Sequence, residues 1–198
     1  MSREAAGFVL AGGSSLRMGR DKATLPWGEA GLLDHALARL RGACAVVWIL
    51  SGSRQRYTDR GVPVLTDPLP DAGPLAGVLA GLQALEGDQP GLFLAVDLPF
   101  VPEPLLRGLL ERAPGYDAVV PVTLDGPHPL CAVYRRSCAE PIRQGLERGQ
   151  RRATAFWAEV RVREEPEPEL AAFGDPRGLL CNLNTPEDYA AAVAVRGR

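Results

Sequence analysis

The amino-acid sequence predicts an α/β fold in which helices cover both faces of a mostly parallel central sheet. Three observations carry this expectation. Apolar runs of strand length recur at Ala6–Leu10, Ala45–Leu50, Val62–Leu65, Leu92–Val96 and Asp117–Val122, most of them rich in Val, Leu or Ile, as strands buried on both faces are. Between the runs, apolar residues return at helical spacing: Leu33, Ala36, Leu37 and Leu40, then Leu75, Val78, Leu79 and Leu82, then Leu105, Leu106, Leu109 and Leu110. Strand and helix therefore alternate, the order that right-handed βαβ units require.

The remaining elements follow in chain order. Leu130–Tyr134 reads as a further strand, and Pro141–Arg148 and Ala153–Glu159 as helices. The segment Glu164–Glu169, with two prolines among four acids, reads as a solvated loop or an edge. The last helix has an explicit start: Thr185 as N-cap, Pro186 at the first helical position and Asp188 three residues after the cap. A length of 198 residues with 46% hydrophobic and 23% charged side chains suits one domain, 1–198, that needs no disulfide or structural metal. Cys44, Cys131, Cys138 and Cys181 form no C-x-x-C pair and read as reduced core thiols. With no signal-peptide pattern and no apolar stretch of about 18 residues, the expectation is a cytoplasmic protein without a membrane partner. A formal net charge of −2 argues against a broad nucleic-acid surface.

Two composition details point to chemistry. Among 22 basic residues the single lysine is Lys22, and the two asparagines, Asn182 and Asn184, lie in one short segment, Asn182-Leu183-Asn184-Thr185-Pro186. Each place is read as needing a group that arginine or aspartate does not supply: a compact ammonium, and neutral amides. In an open parallel sheet, ligands bind beyond the carboxyl ends of the strands. There the first strand runs into Leu10-Ala11-Gly12-Gly13-Ser14-Ser15-Leu16-Arg17-Met18-Gly19-Arg20-Asp21-Lys22, a glycine-rich segment whose backbone N–H groups can converge on phosphate, with Arg17 and Lys22 as cations. It has neither the Walker spacing nor Gly-x-Gly-x-x-Gly. Asp67 ends the third strand, before the turn and helix of Gly73-Pro74-Leu75-Ala76-Gly77. Asp97 ends the fourth, before Leu98-Pro99-Phe100, and is a candidate Mg²⁺ ligand. His128, between two prolines, reads equally as a loop residue or a substrate contact, and His35 as a surface or packing residue.

Taken together, these segments resemble the molybdenum cofactor guanylyltransferases, in order and spacing over nearly the whole chain. The glycine-rich segment alone would indicate only the wider nucleotidyltransferase superfamily; the set of four motifs is more specific. The resemblance implies a three-layer, Rossmann-like nucleotidyltransferase fold. It also implies Mg²⁺-dependent transfer of GMP from GTP to the terminal phosphate of molybdopterin or molybdenum-molybdopterin, with release of pyrophosphate. Carried over position by position, it makes Leu10, Ala11, Gly12, Gly13, Lys22, Asp67 and Gly77 nucleotide contacts and Asp97 the Mg²⁺ ligand. Asn182 and Asn184 match positions near the pterin. Lys22 and Arg17 are assigned to the departing β and γ oxygens, on the side of the triphosphate opposite the metal. Molybdenum-insertion proteins and molybdoenzyme chaperones follow as partners. The sequence departs from the family pattern in three places: Val96 stands where relatives have Cys, Ser51-Gly52-Ser53 where they have a contacting Asn, and a single glycine, Gly19, where many have two. A cytidylyl- or sugar-phosphate nucleotidyltransferase, or a non-catalytic nucleotide-binding protein, is the alternative reading.

Overall fold

A computed structural model describes residues 5–12, 21–69 and 72–196. The chain opens on β1 (Ala6–Leu10), buried at every position, and then makes a 3-10 turn at Lys22–Thr24 and a small hairpin, β2 (Pro26–Trp27) and β3 (Ala30–Gly31). Next come α1 (Leu32–Ala43), β4 (Val46–Leu50), β5 (Val64–Leu65), α2 (Pro74–Ala84), β6 (Gly91–Ala95) and α3 (Glu103–Glu111). The second half contains β7 (Ala118–Thr123), β8 (Gly126–Pro127), β9 (Cys131–Tyr134), α4 (Ala139–Glu147), β10 (Val162–Pro166) and three closing helices, α5 (Glu167–Leu170), α6 (Pro176–Leu179) and α7 (Pro186–Arg196).

The sheet runs β10-β7-β9-β6-β1-β4-β5, with β8 paired to β7 at the side. β1 lies between β4 and β6, parallel to both, with Val9 facing Ile49 on one side and Leu94 on the other. Along this path β9 alone runs against its neighbours β6 and β7. Helices α1 and α3 pack together, as do α2 and α4, and both α1 and α2 lie against β1, β4 and β6. This is the expected sheet between two helical layers. The central strands are apolar throughout because both faces are covered, and Phe8 stacks on Phe93 with ring centroids 4.8 Å apart. Chain order reverses at β1, since the connection through α1 leads to β4 on one flank and the later crossover through α2 to β6 on the other. Such a switch point opens a crevice at the carboxyl ends of the strands.

Several expectations are corrected. Ala153–Glu159 forms turns and a 3-10 segment at Trp157–Glu159 in place of an α-helix. Of the two readings of Glu164–Glu169, the edge holds and the solvated loop does not: the segment supplies most of edge strand β10, parallel to β7, and the start of α5. Glu165 is only 1% exposed because Arg112 and Arg163 pair with it. Cys44, Cys131 and Cys138 sit in or against the core, but Cys181 is exposed; all four are free thiols. Burial pushes the Cys131 and Cys138 thiols up to about 12, as inert core thiols require. Among the described residues, no helix is long and apolar enough to cross a membrane.

Candidate nucleotide-binding cleft

The carboxyl ends of the strands are laced together by backbone hydrogen bonds that continue past the regular pairing. Ala11 N–H reaches Leu50 O at 2.9 Å, Ser51 N–H reaches Leu65 O at 3.0 Å, Val96 N–H reaches Leu10 O at 3.1 Å and Asp67 N–H reaches Gly52 O at 2.9 Å. Above these ends lies a cleft of about 870 Å³, lined among others by Leu10, Ala11, Gly12, Asp67, Gly77 and Asp97. Gly12 is required by close approach, because a Cβ there would lie 2.5 Å from Gly52 N and 2.6 Å from its Cα. Gly73, at φ 79°, turns the chain into α2, and Pro74 opens the helix on the cleft wall.

Lys22 and Asp97, 75 residues apart, meet at this cleft: Lys22 Nζ lies 3.1 Å from Asp97 Oδ2. The side chains are 17% and 23% exposed, so the pair is partly withdrawn from water. Lys22 Nζ also donates to Asn184 Oδ1 at 3.3 Å. Three chain segments singled out in the sequence therefore converge on one ammonium. The sequence reading set Lys22 and the Asp97 site on opposite sides of a triphosphate; the structure puts the two side chains in direct contact. The 3-10 turn is responsible, since it returns the chain to the end of β6 with Asp21 as its N-cap, Asp21 Oδ1 accepting from Ala23 N–H at 3.1 Å.

The asparagine segment is fixed from both ends. Leu183 is buried and its N–H donates to the Asp97 carbonyl at 2.9 Å, while Asn182 and Asn184 on either side of it are exposed. The Thr185 cap forms as expected: Asp188 N–H reaches Thr185 Oγ1 at 3.1 Å, and Asp188 Oδ2 accepts from Asn184 and Thr185 N–H, both at 2.9 Å. Those two N–H bonds hold the Asp188 carboxyl below its ordinary range. Neither asparagine lines the cleft; Asn184 is tied to it through Lys22. Gly13 and Arg17 lie outside the described residues.

Asp67 is half-buried, and burial alone raises its carboxyl above the ordinary value. It approaches Gly77, where a Cβ would stand 3.4 Å from Asp67 Oδ1 and 3.0 Å from a Leu10 methyl. His35 follows the packing alternative: its Nε2 lies 2.8 Å from the Pro99 carbonyl, on the loop after Asp97, and its ring meets Trp27 edge-on. Burial lowers its pKa and so favours the neutral ring; because the Pro99 carbonyl can only accept, Nε2 carries the proton and donates to it. His128 Nε2 pairs with the Thr123 hydroxyl at 2.9 Å, and the ring does not line the cleft.

Asp97 also fits a divalent cation by its chemistry. It is a hard oxygen donor at a strand end, on the cleft wall, and Mg²⁺ typically takes one or two carboxylates with water and phosphate completing its shell. Among the described residues no cluster of three or more His, Cys, Asp or Glu side chains forms an all-protein cage.

Residues 7–163 match the MobA-like NTP transferase domain. A probable molybdenum cofactor guanylyltransferase of Chloroflexus aggregans is 37% identical over 204 residues, covering 96% of this chain and 94% of the relative. The chain belongs to the molybdenum cofactor guanylyltransferase family. A second member of the family, from Pelotomaculum thermopropionicum, is 33% identical, covering 96% of this chain and 92% of the relative. In fold, the chain is similar to the crystal structure of molybdopterin-guanine dinucleotide biosynthesis protein A from Archaeoglobus fulgidus. The TM-score is 0.83 at 24% identity, over 97% of this chain and 98% of the other. The family is one of nucleotidyltransferases, and its enzyme class extends to this protein.

Sequence reasoning missed several residues of this family member's cleft. Asp21, Arg54 and Arg56 line it, as do Ser51 and Ser53 in the segment that departs from the family pattern. Ser51 is fully buried with its hydroxyl donating to Arg54 O at 2.8 Å, so it braces the loop, while Ser53 is exposed. Asp21 stood next to Lys22 and had a local signal as a cap. The two arginines had none, because 21 of the 22 basic residues are arginine.

Proposed function

We propose that this cleft transfers GMP from GTP to the terminal phosphate of molybdopterin, with or without bound molybdenum, and releases pyrophosphate. The observation that carries the reading is the contact of Lys22 with both Asp97 and Asn184, because it joins the nucleotide side of the cleft to the asparagine segment at one cation. The names of the similar family members support the same substrates.

The acceptor phosphate is already an anion, so no side-chain base is needed. An oxygen of that phosphate attacks the α-phosphorus, a new P–O bond forms, and the bond to the β-phosphate oxygen breaks, carrying its electron pair to pyrophosphate. Asp97 would hold Mg²⁺, which when bound neutralises phosphate charge and lowers the barrier to displacement. Lys22 supplies a compact positive charge beside that carboxylate. Its position between Asp97 and Asn184 suits it to the phosphate oxygens at the reacting centre, rather than to the far end of the triphosphate. The backbone around Gly12 admits a phosphate or ribose closely, and Leu10, Asp67 and Gly77 form the wall on which the base rests. Asn184 offers a neutral amide toward the acceptor. Rate enhancement then comes from alignment and from fixed charges facing the charge that develops, as in other phosphoryl transfers.

Pyrophosphate release measured with molybdopterin, Mg²⁺ and each of GTP, CTP and UTP tests the reading. Release with GTP at least tenfold faster than with the other two supports it. Preference for CTP or UTP would assign the cleft to a different nucleotidyl transfer, and GTP binding without release would leave a binding protein.

A further inference from the structure

Arg56 lies on the loop after β4 and takes no part in the roles assigned above. Its Nη2 donates to two backbone carbonyls, Ala11 O at 3.3 Å and Ser51 O at 3.1 Å, at the ends of β1 and β4. Its Nη1 donates to Asp21 Oδ2 at 3.2 Å. The same Asp21 oxygen accepts the Tyr57 O–H at 2.5 Å, and the other caps the turn that begins at Lys22. One guanidinium thus ties the place where the glycine-rich segment leaves β1 to the place where it returns, one residue before the reactive lysine. Tyr57 supports the arrangement. Its backbone has φ 64°, a region seldom entered by a residue with a side chain, and its ring lies under the Arg56 guanidinium, 5.1 Å from the centroid. Burial first, and the Asp21 carboxylate second, raise the Tyr57 phenol well above its ordinary range, so the hydroxyl remains a donor.

We infer that Arg56 is a positioning residue for nucleotidyl transfer, acting through Asp21 to hold the Lys22 ammonium against Asp97. The requirement is for a planar fork that serves three acceptors at once. A lysine, with a single charged nitrogen on a flexible stem, does not reproduce it. Arg56 lines the cleft, so the competing role is direct contact with the triphosphate. The two roles separate by which neighbours share the effect. A positioning role passes through Asp21 and shows in turnover; a phosphate contact bypasses Asp21 and shows in affinity for the triphosphate over the monophosphate.

The inference rests on the nucleotidyl-transfer reading of the cleft, and the test keeps the two apart. Arg56→Ala, Arg56→Lys, Asp21→Asn and the Arg56→Ala/Asp21→Asn pair are compared with the unaltered protein. The readouts are kcat and KM for pyrophosphate release, calorimetric affinity for GTP and GMP, and amide hydrogen exchange of residues 21–25. Expected are a fall in kcat of about 10- to 100-fold for Arg56→Ala, no rescue by Arg56→Lys, and GTP affinity changed by less than about threefold. The double variant is expected to be no worse than the poorer single, the mark of two groups acting as a unit. Faster exchange in residues 21–25 of Arg56→Ala should accompany these changes. A large loss of GTP over GMP affinity that Asp21→Asn does not share would overturn the inference in favour of phosphate binding, and an unchanged kcat would overturn it outright. If the unaltered protein releases no pyrophosphate with any nucleotide, the functional proposal fails. The exchange measurement then still decides whether Arg56 holds the turn through Asp21, with unaltered exchange in Arg56→Ala counting against it.

Discussion

Removing Lys22 and Asp97 singly and together separates a pair kept for folding from a pair kept for chemistry. At 3.1 Å, the gross attraction between unit charges is about 5 kcal/mol at an effective dielectric constant of 20. Desolvation of both groups offsets most of this, which leaves a net contribution of about 1 kcal/mol. Lys22→Ala leaves the Asp97 carboxylate without its cation, and Asp97→Ala leaves the ammonium without its anion. Water still reaches each side chain, at 17% and 23% exposure. The cost should therefore fall below that of a fully buried orphan charge, at about 1–2 kcal/mol. For a chain of this length that corresponds to roughly 2–8 °C in Tm. Turnover should behave differently. Each single variant is expected to lose roughly 10²–10³ in pyrophosphate release, the scale for loss of one preorganised electrostatic group. Lys22→Ala/Asp97→Ala leaves no orphan charge and should recover part of the lost Tm while recovering none of the turnover. Differential scanning calorimetry and a coupled pyrophosphate assay on the same preparations measure both. A double variant that regains activity along with stability would refute the assignment, because the pair would then be serving only the fold.

Three further outcomes follow from the same geometry. Gly77→Ala gains up to about 1 kcal/mol of helix propensity, but its methyl meets Leu10 Cδ2 at 3.0 Å; near-wild-type Tm with about tenfold weaker GTP binding by calorimetry is expected, and unchanged binding would place the base elsewhere. Asp67→Asn should raise Tm at pH 7.5 while weakening GTP binding. Burial raises the Asp67 pKa above its ordinary 3.8, so the folded chain holds that proton longer than the unfolded chain, and this group subtracts stability as pH rises through the window between the two values. His35 has the opposite dependence, because burial lowers its pKa from 6.5. Below pH 6.5 the unfolded chain takes up the proton first, so the contribution present above 6.5 is lost as pH falls toward the lowered value. Urea denaturation at pH 7.5 and 5.5 should show a smaller stability difference for His35→Gln than for wild type, with His128, whose pKa is also lowered by burial, accounting for part of the remainder.

The sheet was readable because strands covered on both faces must be continuously apolar, and β1, β4 and β6 are. The reversed direction of β9 was not, since an apolar run such as Cys131–Tyr134 looks the same whichever way it pairs. Charge misled at β10: Glu165 reads as a solvent residue, and its burial depends on Arg112 and Arg163, 53 and two residues away in the chain. In the site, Lys22 and the asparagines stood out through rarity, and Asp97 through its place at a strand end. Their arrival at one point required the turn capped by Asp21, which has a local signal, and the backbone bond from Leu183 to Asp97, 86 residues apart, which local pattern does not encode. Trp27 shows the same limit. It is 3% exposed, edge-on to Phe100 at 5.5 Å and 5.1 Å from the Arg196 guanidinium. It thereby joins the hairpin after Lys22, the loop after Asp97 and the end of α7, although nothing in its immediate neighbours marks it.

Incubation of the purified protein with molybdopterin, Mg²⁺ and GTP labelled at either the α or the γ phosphate tests most directly whether the cleft carries out guanylyl transfer. Label from the α position should appear on the pterin and label from the γ position in pyrophosphate, both lost in Asp97→Ala. Retention of the α label in free nucleotide, or its transfer undiminished by Asp97→Ala, would contradict the proposed chemistry.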